Sequence, residues 1–154
     1  MNPVPDIRQA TLSDLEAVAA LFDGYRQFYG QAPDRAGATA FLRARFEHGD
    51  STVFIAHAGG VPAGFTQLYP SFSSVSMSRI FVLNDLFVAP AFRQRGLASA
   101  LLAAATAYAR ALGAVRLGLS TAVDNTAAQS LYEGAGWRRD DRFLAYQFAV
   151  TGRG

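Results

Sequence analysis

The chain contains neither cysteine nor lysine, and these two absences narrow its chemistry before any motif is considered. Without cysteine it has no disulfide, no thiolate metal ligand and no cysteine nucleophile. Its two histidines, His48 and His57, stand apart at no spacing typical of a metal site, so we predict that it holds no metal. All basic side chains are arginines, and a formal net charge of +2 is too small to indicate a nucleic-acid partner.

Long apolar runs are also lacking. The longest uncharged apolar stretch, residues 96–109, is shorter than the roughly 20 residues that a membrane span requires. Residues 1–6 lack the basic start and apolar run of a signal peptide, so we expect a cytoplasmic protein with no membrane partner. With 154 residues, 51% of them hydrophobic, the chain is predicted to fold as a single domain, residues 1–154.

The order of local patterns predicts an α/β protein. The first helix is expected to begin at a capping box, in which Ser13 caps the helix and Glu16 reaches back. Gly59 and Gly60 separate two runs of β-forming residues, which is typical of a hairpin turn. The predicted elements are helices at 15–29, 36–48, 97–112 and 125–133, strands at 7–10, 52–58, 61–69, 79–88, 115–120, around Trp137 and at 143–150, and a serine-rich loop at 70–78.

The strand at 79–88, the helix at 97–112 and the strand at 115–120 form a βαβ unit. Its two strands should therefore run parallel, joined by a right-handed crossover. The preceding hairpin makes the first half of the sheet antiparallel, so we predict a mixed, mostly antiparallel sheet flanked by helices. Gly64 in the returning strand is a candidate bulge or close-packing position. The apolar final strand needs covering, which favours a homodimer.

The most informative segment lies where the strand at 79–88 gives way to the helix at 97–112. It reads Arg93-Gln94-Arg95-Gly96-Leu97-Ala98-Ser99. The first N–H groups of a helix have no partner within the helix, and the helix dipole adds partial positive charge there. Gly96 lets the main chain approach a ligand closely. We expect this junction to bind the phosphates of an extended cofactor.

Two motifs in the chain resemble the signatures of the GNAT N-acetyltransferase superfamily. Residues 86–98, LFVAPAFRQRGLA, resemble a strand that ends in V-x-P and is followed by R-x-x-G-x-G/A. Residues 125–137, NTAAQSLYEGAGW, resemble the second signature, N-x-x-A/S-x-x-L/F-Y-x-x-x-G-F/W. The spacing between the motifs and the order of predicted elements agree with the superfamily over nearly the whole chain. Residues 83–88 look most like the spermidine/spermine acetyltransferase branch and its unassigned bacterial relatives.

The resemblance implies a GNAT-like fold, acetyl-CoA as the acetyl donor and a small-molecule amine as the acceptor. It assigns the pyrophosphate to main-chain N–H groups of residues 94–99 and the pantetheine arm to the exposed main chain of residues 86–88. It places Asn125 and Ala128 on the other wall of the cofactor cleft. The implied cofactor-binding set is Leu86, Phe87, Val88, Arg93, Gln94, Arg95, Gly96, Leu97, Ala98, Ser99, Asn125, Ala128 and Tyr132.

Acetyl transfer to an amine requires a neutral amine, a polarised thioester carbonyl and a proton for the departing thiolate. The resemblance gives Tyr132 the role of proton donor to the sulfur. A main-chain N–H near Phe87 or Val88 is the candidate that polarises the carbonyl. No covalent acyl-enzyme is expected, because direct attack by the amine needs no protein nucleophile.

The base that deprotonates the amine is less evident from the sequence. In the polyamine branch the position of Asn84 often carries glutamate, and an asparagine cannot act as a base. Asp85 is the nearest candidate base, directly or through a water, and Asp124 and Glu133 follow it as candidates. A weakly basic substrate needs only a water chain. Tyr25 and Tyr29, together with Asn84, are candidates for the acceptor-binding wall, since aromatic rings suit a cationic amine.

Each of these roles has a structural alternative. Tyr132 is a candidate core tyrosine, Asp85 a candidate structural acceptor, and Asn125 a candidate helix N-cap. A second function, that of a non-catalytic CoA-binding sensor or degenerate subunit, predicts the same binding without turnover. A nucleotide-binding P-loop is disfavoured, because no Gly-Lys-Ser/Thr sequence follows the loop.

Overall fold

The computed structural model describes residues 4–153, which form two compact units, residues 4–120 and 121–153. The first unit combines a five-stranded sheet with helices. Its strands are β1 Asp6–Gln9, β2 Thr52–Ala58, β3 Val61–Ser73, β4 Ser78–Val88 and β5 Leu117–Gly118. Its helices are α1 Leu15–Phe28, α2 Arg35–His48 and α3 Leu97–Ala111.

The sheet is mixed, as predicted. Its strands lie in the order β1-β2-β3-β4-β5, and every neighbouring pair is antiparallel except β4 with β5. Because α3 connects these two parallel strands, they form the predicted βαβ unit. The strand β5 has two residues rather than the six predicted at 115–120, although Val115 N–H still donates to the Arg79 carbonyl oxygen at 2.9 Å.

Helices cover both faces of the sheet. On one face, Phe22 of α1 meets Phe65 of β3 edge-on, with ring centroids 6.2 Å apart. On the other face, Tyr108 of α3 packs against Phe54 of β2 and Phe81 of β4, with ring centroids 5.5 and 5.6 Å away. Burial of each large apolar side chain contributes about 1.5–3 kcal/mol. The fully buried apolar side chains include Val18, Leu42, Ile55, Phe65, Leu68 and Leu101.

The start of α1 differs from the prediction. Residues Leu12–Asp14 form a 3₁₀ turn ahead of the helix, and the N–H of Thr11 donates to Asp14 Oδ2 at 2.8 Å. Thr11, whose backbone is extended, is the residue at the cap, so the predicted capping box of Ser13 and Glu16 is wrong. Ser13 already lies inside the turn, where a helical backbone removes it from the geometry of an N-cap.

Three glycines of the β2–β3 hairpin agree with the prediction. Gly59 and Gly60 have φ values of +58° and +80°, which the two central residues of a type I′ turn require. Gly64 is a close-packing position, since a Cβ atom there would lie 2.8 Å from the carbonyl oxygen of Phe87. The register of the β2–β3 pair shifts beside it, but Ala63 is the extra residue and Gly64 itself is paired with Ala56, so close packing is the alternative that the structure supports.

The serine-rich segment 70–78 is mostly strand, not the predicted loop. The strand β3 continues to Ser73 and β4 begins at Ser78, so only a four-residue turn separates them. Pro70 is tolerated because its partner Phe81 donates its N–H to the Arg116 carbonyl, away from β3. The missing N–H of proline therefore removes no hydrogen bond between the two strands. Sequence reasoning treated proline and serine as a break and missed this pairing.

The second unit contains the helix α4, Thr126–Gly134, close to the predicted 125–133. The strands predicted around Trp137 and at 143–150 are not present among residues 121–153. Alternating apolar side chains favour a strand only where a neighbouring strand pairs with the main chain. Here the large apolar side chains of 143–150 are 75–91% exposed. No helix among residues 4–153 combines the length and apolar character needed to cross a bilayer.

Candidate active site

A β-bulge in β4 organises the candidate site. Gln67 of β3 pairs with Asp85, but the next residue of β3 pairs with Leu83, which leaves Asn84 as the extra residue. Phe81 packs against α3, whereas Phe87, six residues on, packs against Tyr25 of α1 at 6.4 Å. Residues an even number apart share a face of an unbroken strand. The bulge therefore turns the second half of β4 toward α1 and α2.

The same bulge determines where the main chain of β4 points. The N–H of Ala89 donates to the Ala63 carbonyl at 2.8 Å, so alternate residues Leu86 and Val88 direct their main-chain groups away from β3. On that side, the pairing of β4 with β5 ends at Val82 within the described residues. An extended ligand can thus lie along β4 as an added strand, which is the position predicted for the pantetheine arm at residues 86–88.

The junction between β4 and α3 has the backbone expected of an anion-binding loop. Gln94 and Gly96 both adopt left-handed conformations, with φ values of +62° and +80°. Gly96 caps α3, and the first bond of the helix runs from Ala100 N–H to the Gly96 carbonyl at 3.1 Å. The N–H groups of Leu97, Ala98 and Ser99 therefore precede the helical hydrogen-bond ladder and lie at its positive end. Such a concave run of N–H groups suits a pyrophosphate.

The two arginines of this loop contact protein groups. Arg93 Nε donates to the Val88 carbonyl at 2.9 Å, and its guanidinium lies over the rings of Phe28 and Phe87 at 5.6 and 5.7 Å. Arg95 lies over Phe92 at 5.5 Å. Arg93 therefore joins the loop to the end of α1 and to β4, and this contact fixes the position of the N–H groups that follow.

A cavity of about 420 Å³ lies between α1, α2 and β4, and we call it the α1–α2–β4 pocket. Asp85 lies on the wall of this pocket and is only 1% exposed. Its carboxylate accepts hydrogen bonds from Gln67 Nε2 at 2.6 Å and from Asn84 Nδ2 at 2.7 Å. Burial raises the pKa of Asp85, and these two donors oppose the rise. The aromatic and polar residues that line the pocket include Phe22, Tyr25, Phe41, Tyr69, Asp34 and Asn84.

The structure brings most of the predicted acceptor-site residues to this pocket. Tyr25 Oη donates to the Asn84 carbonyl at 3.2 Å, so it holds the bulge as well as lining the pocket. Tyr29 is 52% exposed and packs edge-on against Tyr25 at 5.0 Å. Burial, followed by the charge of Asp85, raises the pKa of Tyr69 to about 12, so Tyr69 remains a neutral hydroxyl.

The turn between α1 and α2 is fixed by a buried carboxylate. Asp23, 7% exposed, accepts from Asp34 N–H at 3.1 Å, Arg26 Nη1 at 2.9 Å and Gln27 Nε2 at 3.2 Å. The Asp34 N–H is the main cause that lowers the pKa of Asp23. Since Arg26 and Asp34 also line the pocket, Asp23 holds one of its walls in place.

The remaining predicted site residues belong to the second unit. Asn125 Oδ1 accepts from Ala128 N–H at 3.1 Å, so Asn125 is the N-cap of α4. Tyr132 lies in the same helix; its ring is 6.0 Å from that of Trp137, whose N–H donates to the Tyr132 carbonyl at 3.0 Å. The second motif thus forms a capped helix followed by a turn at Gly136, which has φ +93°.

Comparison with known proteins decides the family. The model of the "Acetyltransferase (GNAT) family" matches residues 16–137, which include both motifs. The chain belongs to the GNAT acetyltransferase family. The match runs from α1 through α4 and so crosses the boundary between the two units.

Several relatives of this GNAT chain are named acetyltransferases. It is 52% identical over 148 residues to a Bacillus subtilis (strain 168) protein described as "Uncharacterized N-acetyltransferase YhfO", covering 96% of this chain and 99% of that protein. The crystal structure of a probable acetyltransferase matches with a TM-score of 0.90 and 41% identity, over 95% of this chain and 98% of that one. The aminoglycoside N-acetyltransferase AAC(6')-Iy, solved in complex with CoA, matches with a TM-score of 0.78 and 26% identity, over 94% and 95%.

Sequence reasoning missed Gln67 and Asp34, which the structure places at the pocket. Gln67 is fully buried on β3, and its signal was a polar side chain at an inward position of an apolar strand. Asp34 caps α2 by accepting from Gly37 N–H at 2.9 Å, a role that the Asp-x-x-Gly spacing could have indicated.

Proposed function

We propose that this chain is an acetyl-CoA-dependent N-acetyltransferase that moves an acetyl group directly to a primary amine of a small molecule. The observation that carries the proposal is the bulge at Asn84. It places a buried carboxylate, Asp85, at the wall of a pocket, and turns the main-chain groups of Leu86 and Val88 outward just beyond it. An amine site and a strand-like cofactor site therefore adjoin on one strand.

The cosubstrate is acetyl-CoA, which supplies the acetyl group as a thioester. The N–H groups of residues 94–99 suit its pyrophosphate, because the left-handed residues Gln94 and Gly96 turn the loop at the N-terminus of α3. The outward main chain of residues 86–88 suits the pantetheine arm. Asn125 and Ala128, at the start of α4, are proposed for the other wall on the strength of the second motif.

In this proposal, Asp85 takes the proton of the acceptor ammonium, directly or through a water. A carboxylate that has lost solvent is a stronger base than one in water, and the Gln67 and Asn84 donors stabilise its charged form. The aromatic rings of Tyr25 and Tyr29 contribute to the acceptor wall, since cations are attracted to ring faces.

Tyr132 is proposed to give a proton to the departing sulfur. The support is its place in the second family motif, seven residues after the N-cap Asn125. The N–H of Phe87 or Val88 is proposed to polarise the thioester carbonyl; the outward direction of the Val88 main chain favours Val88.

Relatives of known substrate support a small-molecule acceptor. The chain is 31% identical over 97 residues to a Salmonella typhimurium aminoglycoside N(6')-acetyltransferase, over 61% of this chain and 67% of that one. We further propose that residues 1–154 act as one acetyltransferase domain, since the family match crosses both units. The proposal also includes a cytoplasmic location and a homodimer, in which the exposed apolar side chains of 143–150 are covered.

The proposal is tested by measuring CoA thiol release from acetyl-CoA with a panel of polyamines, aminoglycosides, amino acids and peptide N-termini. We expect release with at least one small amine, and a loss of about 100-fold in kcat/KM for Asp85→Asn. Glu47→Gln, which neutralises an exposed carboxylate on α2, is the matched control and should keep full activity. Binding of CoA without release for any amine supports the non-catalytic alternative instead.

A further inference from the structure

Gln67 of β3 is a fully buried polar side chain whose amide is bonded at both ends. Its Oε1 accepts from the hydroxyl of Ser51 at 2.9 Å, and its Nε2 donates to Asp85 Oδ2 at 2.6 Å. Burying an amide is costly unless its groups are satisfied, and an apolar side chain would fill the same space without that cost. The two bonds therefore indicate a role beyond packing.

Ser51 determines which way the amide faces. An ionised carboxylate only accepts hydrogen bonds, so it must meet the NH₂ end of Gln67 rather than the carbonyl end. The Ser51 hydroxyl donates to the carbonyl end and so opposes rotation of the amide by 180°, which would set Oε1 against Asp85. Ser51 and Gln67 thus form a directed chain that ends on the carboxylate.

Few other groups compensate the charge of Asp85. Its second oxygen accepts from Asn84, which is an exposed residue. The charged and titratable groups that line the same pocket are Arg26, already paired with Asp23, the carboxylate Asp34 and the hydroxyls of Tyr25 and Tyr69. Of the two side chains that donate to the Asp85 carboxylate, Gln67 is the one that is buried and whose amide is itself hydrogen-bonded by Ser51.

We propose that Gln67 is a positioning residue for acetyl transfer: held by Ser51, it keeps the Asp85 carboxylate charged and in one orientation, ready to take the proton of the acceptor amine. This inference rests on the proposed function, in which Asp85 is the base. Gln67 itself does not contact the amine; it acts through the carboxylate.

The test is Gln67→Met, which keeps the length of the side chain and removes the donor. Because the charged carboxylate loses a donor, we expect the acid limb of the pH profile of kcat/KM to move to higher pH by about one unit. At pH values below the midpoint of that limb, kcat/KM should then be about tenfold lower. The carboxyl ¹³C resonance of Asp85, followed by NMR in protein labelled at aspartate, should show its titration midpoint moving by the same amount.

Thr66→Val is the matched control. Thr66 is buried beside Gln67, and its Oγ1 donates to the main-chain oxygen of Asp85 at 2.8 Å. This variant also removes a buried hydrogen bond to Asp85, but it leaves the carboxylate contacts intact. It should lower stability without moving either the pH profile or the NMR midpoint.

The outcomes separate this inference from the proposed function. An unchanged NMR midpoint in Gln67→Met overturns the positioning role. A shifted midpoint with an unmoved pH profile supports the control of Asp85 by Gln67 but overturns Asp85 as the base. Should Gln67→Met fail to fold, Ser51→Ala replaces it, with a smaller shift in the same direction, and Ser51→Thr, which keeps the hydroxyl, should restore the profile.

Discussion

Replacing Gly64 by alanine is expected to destabilise the protein and weaken acetyl-CoA binding together. The Cβ of an alanine at this position would lie 2.8 Å from the Phe87 carbonyl oxygen, 3.3 Å from Val88 Cγ2 and 3.4 Å from Leu101 Cδ1. The two side-chain contacts need shifts of only tenths of an ångström. The carbonyl belongs to the main chain of β4 where that strand pairs with β3, and it cannot move without moving β4.

The size of the effect follows from opposing contributions. Overpacking in a core typically costs about 1–3 kcal/mol. Replacing glycine reduces the entropy of the unfolded chain, which stabilises the protein by about 0.4–1 kcal/mol. The free energy of unfolding should therefore fall by about 1–2 kcal/mol, which lowers Tm by about 2–8 °C for a domain of this size. Because Phe87 lies between Leu86 and Val88, the Kd for acetyl-CoA should rise.

Thermal unfolding followed by circular dichroism, together with calorimetric titration of acetyl-CoA, measures both effects. Gly118→Ala is the matched control, since a Cβ there meets no heavy atom of the described chain within 4 Å. It should change the free energy of unfolding by less than about 0.5 kcal/mol. A Gly64→Ala protein as stable as Gly118→Ala would refute the close approach of β3 to Phe87.

Three further predictions concern other parts of the protein. Tyr132→Phe should lower kcat about 100-fold in the thiol-release assay while leaving the Kd for acetyl-CoA unchanged; an unchanged kcat excludes the proposed proton donor. The Arg8 hydrogen bond lowers the pKa of Asp14 from 3.8 to about 2, so its stabilisation is fully present above pH 4 and is lost as the pH falls through 2. Asp14→Asn should therefore lower the free energy of unfolding at pH 7 by about 1 kcal/mol, measured by urea unfolding, and by much less at pH 2. Arg93→Met removes the bond to the Val88 carbonyl and should raise the Kd for acetyl-CoA about tenfold in a calorimetric titration.

Elements whose pattern is local could be predicted from the sequence. The two glycines of the β2–β3 turn, the α3 helix and the βαβ order depend on backbone freedom and periodicity, which neighbouring residues determine. The strand structure within 70–78 could not be predicted from the sequence. Whether Pro70 disrupts a strand depends on the direction of the N–H of its partner Phe81, which only the pairing of the strands determines. The strands predicted after residue 136 failed for a related reason, since a strand needs a partner that the sequence does not identify.

The candidate site shows the same division. The start of α3 was predictable, because Gly96 supplies the left-handed residue that caps the helix, whereas phosphate binding there stays a prediction. The bulge at Asn84 was not, since it is a property of register between two strands. Sequence reasoning that misses the bulge does not place Gln67 opposite Asp85. The hydrogen bond through which Gln67 is proposed to act on Asp85 is therefore visible only in the folded chain.

The most direct test of the account is an NMR titration of the ¹⁵N-labelled protein with CoA and, separately, with pantetheine, which lacks the pyrophosphate. Binding of the pyrophosphate by the start of α3 predicts large shifts for the amides of residues 94–99 with CoA and much smaller ones with pantetheine. Amides of the loop that stay unmoved at millimolar CoA would contradict the assignment of this junction and, with it, the proposed acetyl transfer.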